Sequence, residues 1–396
     1  MKKFLLLSCV TVFLVACNSE SSSATDVPPG EKDAEAEVLP CEIEGDFSWK
    51  EQGSSYYLCQ DGSWKEKAVE KHVSNGFDVC QFNFGAAWQG THEDREFYEG
   101  LDYIAVWLGD NDFYNSFEER MVDLCIDIKA TPMIYAYVIA EFGKDHDMDD
   151  CDVAKKREKK SLCVYGANLI RDFFADSILF RYEQYASGLR EQLEFSSAGI
   201  NPDTYESIWL IEPDFYQYSE MASKQKEIYD STAQLGGGIP DAEMGTIFKQ
   251  IVSVIKNYLP GAKIAMDISP WINDADPQGQ TKWLSNFDMS LVDFMSTSGG
   301  RTSPSSNNIR AGNKTTWKEI YEITRKPILA DAGYDKGGEG TGHAGVWDDA
   351  RNIKLRMADG VVGTMQMDAK WGYPSIADTV RPQLLYQYPW CKTQVQ

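Results

Sequence analysis

From Gly76 onward, short apolar runs alternate with segments whose apolar residues recur every three or four positions. The runs near 77–82, 102–108, 132–139, 207–212, 262–268, 291–297, 327–331 and 361–367 predict strands. The periodic segments predict helices over 115–128, 163–194, 241–258, 280–287, 315–324 and 347–357, with a last one near 375–386. Segment 241–258 has the clearest stripe, on Met244, Ile247, Phe248, Ile251, Val254, Ile255 and Tyr258. Pro240-Asp241 opens it and Pro260-Gly261 ends it. Strands that are apolar on both faces and alternate with helices imply a parallel sheet covered by helices. About eight such repeats favour closure into a (β/α)8-like barrel, TIM-like or distorted, over an open doubly wound sheet. No dinucleotide-binding fingerprint follows the first predicted strand.

Ahead of the barrel, residues 39–68 form a separate pattern: Cys41, Phe47, Trp49, Tyr56, Tyr57, Cys59 and Asp61-Gly62-Ser63-Trp64. Alternation around an Asp-Gly turn predicts a β-hairpin, and a segment this small needs a Cys41–Cys59 staple to hold its shape. Its rings suit either carbohydrate or a miniature core. Further upstream, Lys2 and Lys3 precede an apolar stretch from Phe4 to Val15, too short to span a bilayer as a helix. Leu14-Val15-Ala16-Cys17 resembles a bacterial lipobox, which makes 1–16 a signal peptide and Cys17 the lipidated residue. Residues 17–38 are Ser-, Pro- and acid-rich and read as a flexible tether, leaving 76–396 for the barrel. By resemblance to Gram-negative lipoproteins, Asn18 after the cysteine implies an outer-membrane or cell-surface location.

Export permits disulfides. Cys151 with Cys163 would close a polar loop, whereas Cys80 has two candidate partners, Cys125 and Cys391. A net charge of -23 over 396 residues disfavours nucleic acid and anionic membrane surfaces as partners, and a neutral polysaccharide is compatible with it. Membrane contact is expected through the lipid anchor only, and the chain is expected to be a monomer.

In a barrel of this kind, chemistry sits at the C-terminal ends of the strands. The predicted ends carry Asn83 and Trp88, then Trp107 and Asp110-Asn111-Asp112, then Tyr135, Tyr137 and Glu141. They continue with Glu212 and Asp214, Asp267 and Trp271, Asp331 with Tyr334 and Asp335, and Gln366, Asp368 and Trp371. Acids and rings recurring at one rim fit glycosidic bond cleavage, which needs a proton donor, a second carboxylate and flat apolar surfaces for sugars. Most telling is Ile208-Trp209-Leu210-Ile211-Glu212-Pro213-Asp214-Phe215-Tyr216-Gln217-Tyr218, where proline halts the ladder between two acids and three rings follow. Trp88, Trp271, Trp371, Tyr216, Tyr218 and Tyr334 are the candidate sugar platforms.

Ile211-Glu212-Pro213-Asp214 resembles the motif carrying the general acid of family 6 glycoside hydrolases, inverting cellulases with a distorted barrel. Tyr135 to Tyr137 followed by Asp150-Cys151 is similar to that family's strand and Asp-Cys pair, and Asp267 and Asp331 fall where it has strand-end aspartates. The resemblance implies Asp214 as proton donor, Asp150 as its support, Asp267 as an auxiliary carboxylate and Asp331 as a candidate base. A competing resemblance is to retaining barrel glycosidases, which end strand four with Asn-Glu-Pro; it would make Glu212 the acid/base. Here Ile211 replaces that Asn and Asp331 replaces the strand-seven Glu. The expected function is hydrolysis of a β-linked plant polysaccharide, cellulose or a related β-glucan, with no cofactor. A non-catalytic glycan-binding lipoprotein is the alternative.

Other motifs argue against rival chemistries. The acid loop 145–150 lacks the glycine and final acid of an EF-hand. The four histidines lack zinc-ligand spacing, Gly337–Gly342 is not followed by Lys-Ser/Thr, and no nucleophile elbow occurs. The glycine run and the polar stretch 296–316 read as cover over the cleft.

Overall fold

The computed structural model describes residues 40–89, 94–109, 114–149, 158–229, 233–272, 276, 278–298, 300–333, 342–385 and 388–391. The signal, lipobox and tether, Asp110-Asn111-Asp112, Asp150, Cys151, Tyr334, Asp335 and the glycine run up to Thr341 lie outside the described residues.

Strands Asn83–Ala87, Tyr103–Leu108, Thr131–Ala136, Ile208–Ile211, Lys263–Asp267, Phe294–Ser296, Ile328–Asp331 and Val361–Gln366 form a closed barrel. All neighbours pair in parallel and follow chain order, with the eighth strand closing on the first through Gly363↔Asn83 and Gln366↔Ala86. The fold is therefore a closed (β/α)8-like barrel rather than an open sheet. Helix Asp241–Tyr258 matches its predicted limits and buries Met244, Ile247, Phe248, Ile251 and Ile255 against the sheet.

Differences from the sequence reading have local causes. The first strand is not 77–82 but Asn83–Ala87, so Asn83 begins that strand instead of standing at its C-terminal end. Its Asn-Phe-Gly-Ala-Ala sequence lacks an apolar signature because the barrel interior is crowded there: a Cβ on Gly85 would meet the Tyr103 ring at 2.5 Å. Residues 77–82 are the entry to the strand, pinned by the Asn83 amide donating to the Asp78 and Gln81 carbonyls at 2.8 and 2.9 Å. The third strand stops at Ala136, and Val138–Asp145 is a helix. The predicted helix over 163–194 is Leu162–Phe173 and Leu179–Phe195, joined by a π-turn at Phe174–Ile178.

The N-terminal segment is a three-stranded antiparallel sheet, Phe47–Glu51, Ser55–Gln60 and Ser63–Ala68, one strand more than a hairpin. Asp61 and Gly62 both take positive φ, as a two-residue hairpin loop requires. Cys41–Cys59 is a disulfide, and Phe47, Trp49 and Tyr56 pack on one another with centroids 4.8–6.2 Å apart. Cys80 pairs with Cys391, which leaves Cys125 buried and free. Cys163 is disulfide-bonded, and its expected partner lies outside the described residues. Among the described residues no helix is long and apolar enough to cross a membrane.

Candidate active site

Parallel register brings the strand ends to one rim: Asp267 lies level with Ser296, and Asp331 with Met365. At that rim the fourth strand ends and Pro213 interrupts the ladder, which lets Asp214 leave the sheet half-buried. Its two oxygens accept from different walls of the mouth. The Tyr137 hydroxyl donates to Oδ2 at 2.5 Å, and the Trp271 indole N–H donates to Oδ1 at 3.2 Å. Trp271 is 56% exposed, so its ring faces open space while its nitrogen is tied to the acid.

The Trp271 loop is pinned from both sides. The Gln225 amide donates to the Trp271 carbonyl at 2.8 Å, and the Asn313 amide donates to the Pro270 carbonyl at 3.1 Å. Tyr216 donates to Gln225 at 3.1 Å. Tyr216 is nevertheless only 2% exposed, edge-on to Trp283, so it supports the platform loop and presents no face to a sugar. Tyr218 is corrected likewise: it is fully buried, with Gly166 packed against its ring. Trp88 is 6% exposed between Tyr98 and Phe117, which removes most of its face from the mouth. Trp371, 57% exposed beside Phe97, stays available as a platform.

Asp267 ends the fifth strand almost wholly buried. The Ser298 hydroxyl donates to its Oδ1 at 2.6 Å and also lies 3.4 Å from the Pro213 carbonyl, which draws Asp267 beside the Asp214 turn. Burial raises its pKa well above the usual carboxylate range; Arg310 and Ser298 oppose this and nearby Asp214 adds to it. Asp331 accepts from the Gly333 N–H at 2.7 Å and from the Tyr135 hydroxyl at 3.4 Å. Burial pushes it up to about 7, against the pull of Gly333, Arg310 and Tyr135.

Arg310 comes from the loop after the sixth strand and was not anticipated. It is buried, donates to the Ile268 carbonyl at 3.3 Å and to the Ser298 carbonyl, and interacts electrostatically with Asp267, Asp331 and Asp214. The stretch expected to cover the cleft thus supplies its central cation. A lone basic residue in a polar loop gives no periodic signal, so only the fold reveals it.

Glu212 behaves differently from its neighbour. It takes φ +42°, a conformation costly for a residue other than glycine, and its carboxyl turns toward the covering helices. The backbone N–H of Ile139 donates to Oε1 at 2.9 Å and the Tyr182 hydroxyl donates to the same oxygen. Glu212 is 1% exposed, and its Oε1 is held on the helix side by Ile139 and Tyr182. Burial pushes it up to about 8, with Asp214 adding and Tyr182, Ile139 and Val138 opposing.

No family model matches the chain, and no curated protein matches it significantly. Among solved structures it is similar to a β-1,4-D-mannanase from Cryptopygus antarcticus, with 11% identity, TM-score 0.39 and coverage of 78% of this chain and 92% of that one. It is similar also to an endo-1,4-β-mannanase from Eisenia fetida, with 14% identity, TM-score 0.41 and coverage of 82% and 94%. The Bacillus cereus spore cortex-lytic enzyme SleL gives 11% identity, TM-score 0.42 and coverage of 82% and 78%. Likeness at this level assigns no chemistry. The site is therefore read from its own residues.

At the eighth strand, Asp368 accepts from the Gln89 amide at 3.3 Å and from the Gly342 N–H at 2.8 Å, which fixes it to the first strand's loop. Gln366 is buried and clamps both backbone groups of Ala344 at 3.0 and 3.2 Å. Among the described residues no cluster of His, Cys, Asp or Glu could hold a metal ion. The arrangement brings together Asp214, Asp267, Asp331 and Trp271 and sets Glu212, Tyr216 and Tyr218 behind them.

Proposed function

We propose that this protein is a glycoside hydrolase that cleaves a β-linked polysaccharide, cellulose or a related β-glucan, with inversion at the anomeric carbon. The observation that carries this reading is the tie between half-buried Asp214 and the indole nitrogen of exposed Trp271. A pyranose stacked on that ring lies against the acid, so apolar binding and proton transfer share one fixed geometry. Asp214 donates its proton to the leaving glycosidic oxygen. Asp331, held near neutrality at about 7, takes a proton from the water that attacks from the opposite face. Arg310 offsets the negative charge of Asp267, Asp331 and Asp214.

The pattern Leu14-Val15-Ala16-Cys17 extends the proposal to an exported enzyme tethered through a lipidated Cys17. Release of Cys17→Ser protein from the membrane fraction would support that part. For the chemistry, the test is NMR of the first products from a panel of soluble β-glucans, with wild type beside Asp214→Asn. An initial α-anomer from wild type and a loss of roughly 10²–10⁴-fold in Asp214→Asn are expected. Full activity in Asp214→Asn, or sugar binding without any reducing-end release, would overturn the reading.

A further inference from the structure

A small cavity of about 10 Å³ is lined by Glu212, Asp267 and Ser269 and walled mainly by Phe215, Phe248, Met266 and Trp283. That is the room one water molecule needs. Each carboxyl uses one oxygen fully: Glu212 Oε1 accepts from Ile139 and Tyr182, and Asp267 Oδ1 accepts from Ser298. Among the described residues no group donates to the other oxygen of either, Glu212 Oε2 or Asp267 Oδ2, and both atoms are buried. The Ser269 hydroxyl and the Trp283 indole also line the cavity, yet neither donates to these two oxygens. A bare carboxylate oxygen in such surroundings is costly unless a proton or a water satisfies it.

We propose that Glu212 and Asp267 hold one water in this cavity and share a proton through it, which makes both positioning residues for Asp214. The groups facing Glu212 are Tyr182, the first-turn N–H groups of helix Val138–Asp145 and Asp214; those facing Asp267 are Ser298, Arg310 and Asp214. Arg310 is the cation among these groups, and it lies on the Asp267 side. A proton retained by the pair keeps a further negative charge away from Asp214, to which both carboxyls couple. Burial favours the protonated form of each, in agreement with this arrangement. What Asp214 does with the resulting field rests on the hydrolase reading, but the hydrated pair itself does not.

Infrared spectroscopy of the full chain at neutral pH tests the pair without turnover, so its failure is distinct from failure of the proposed activity. Wild type should show protonated-carboxyl C=O bands. Glu212→Gln and Asp267→Asn should each shift or remove the band of the pair, because one proton and the water link the two carboxyls. Absence of protonated-carboxyl bands from wild type would overturn the proposal, as would a band indifferent to the loss of its partner. If either variant fails to fold, a high-resolution crystal structure of wild type decides: one ordered water bound to both carboxyls supports the pair, and its absence overturns it.

Discussion

At the residue scale, Asp214 and Glu212 stand two positions apart and meet opposite environments. Pro213 between them ends the ladder, after which Asp214 faces the mouth and Glu212 faces the helices. Trp271 joins two roles that substitution can separate. Trp271→Phe keeps a ring and loses the N–H held at 3.2 Å from Asp214, so kcat should fall with KM little changed. Trp271→Ala loses the stacking surface as well, and KM should rise roughly tenfold. Steady-state kinetics on one soluble glucan separates the two.

Glu212 also carries a pH prediction. Its folded pKa of about 8 lies above its ordinary value of 4.5, so folding favours the protonated form. That contribution is complete below about pH 4.5 and is lost as pH rises toward about 8, at up to ~1.4 kcal/mol per pH unit. Glu212→Gln should flatten this slope in urea melts taken across the same window. A variant whose stability still falls as steeply would remove Glu212 as the source.

At the scale of elements, helix Val138–Asp145 shows why a local pattern misleads. Val138 and Ile139 extend an apolar strand in sequence, and the helix has no side-chain cap of its own. The Glu212 carboxyl, from the next strand, accepts from the Ile139 N–H and supplies the missing cap. A partner about seventy residues away in sequence cannot be read from local periodicity. Gly166 shows a related dependence: within helix Leu162–Phe173 it makes room for the Tyr218 ring that a Cβ would strike. Gly166→Ala gains helix propensity yet should destabilise by about 1–3 kcal/mol, because the clash outweighs the gain. Thermal melts measure this, and an unchanged or raised Tm would refute the packing account.

At the scale of the whole molecule, Cys80–Cys391 joins the entry to the first barrel strand to the C-terminal segment, across a sequence separation of 311. Closing so long a loop restricts the unfolded chain strongly. Cys391→Ser should therefore lower stability by about 2–5 kcal/mol. The Cys41–Cys59 link spans only 18 positions and staples the small sheet alone. Cys59→Ser should loosen that sheet, seen as faster amide exchange over 47–68, and leave barrel protection unchanged. Loss of barrel protection in Cys59→Ser would mean the two parts fold as one unit.

The sequence by itself determined the architecture, because strand and helix periods depend on which faces are apolar and that pattern is written locally. Seven of the eight predicted runs are barrel strands, which with their helical spacers left few alternatives to a closed parallel barrel, and the run over 327–331 stops at Asp331 in the fold as well. It also concentrated acids at strand ends, since parallel strands direct all such ends to one rim. Tertiary structure decided which of those acids meet. Whether a side chain enters the mouth or the helix layer depends on one backbone angle at Glu212 and on hydroxyls from Tyr182 and Tyr137, contributed by distant segments. The same holds for Arg310, whose position among the aspartates follows from a loop path that no periodic pattern encodes.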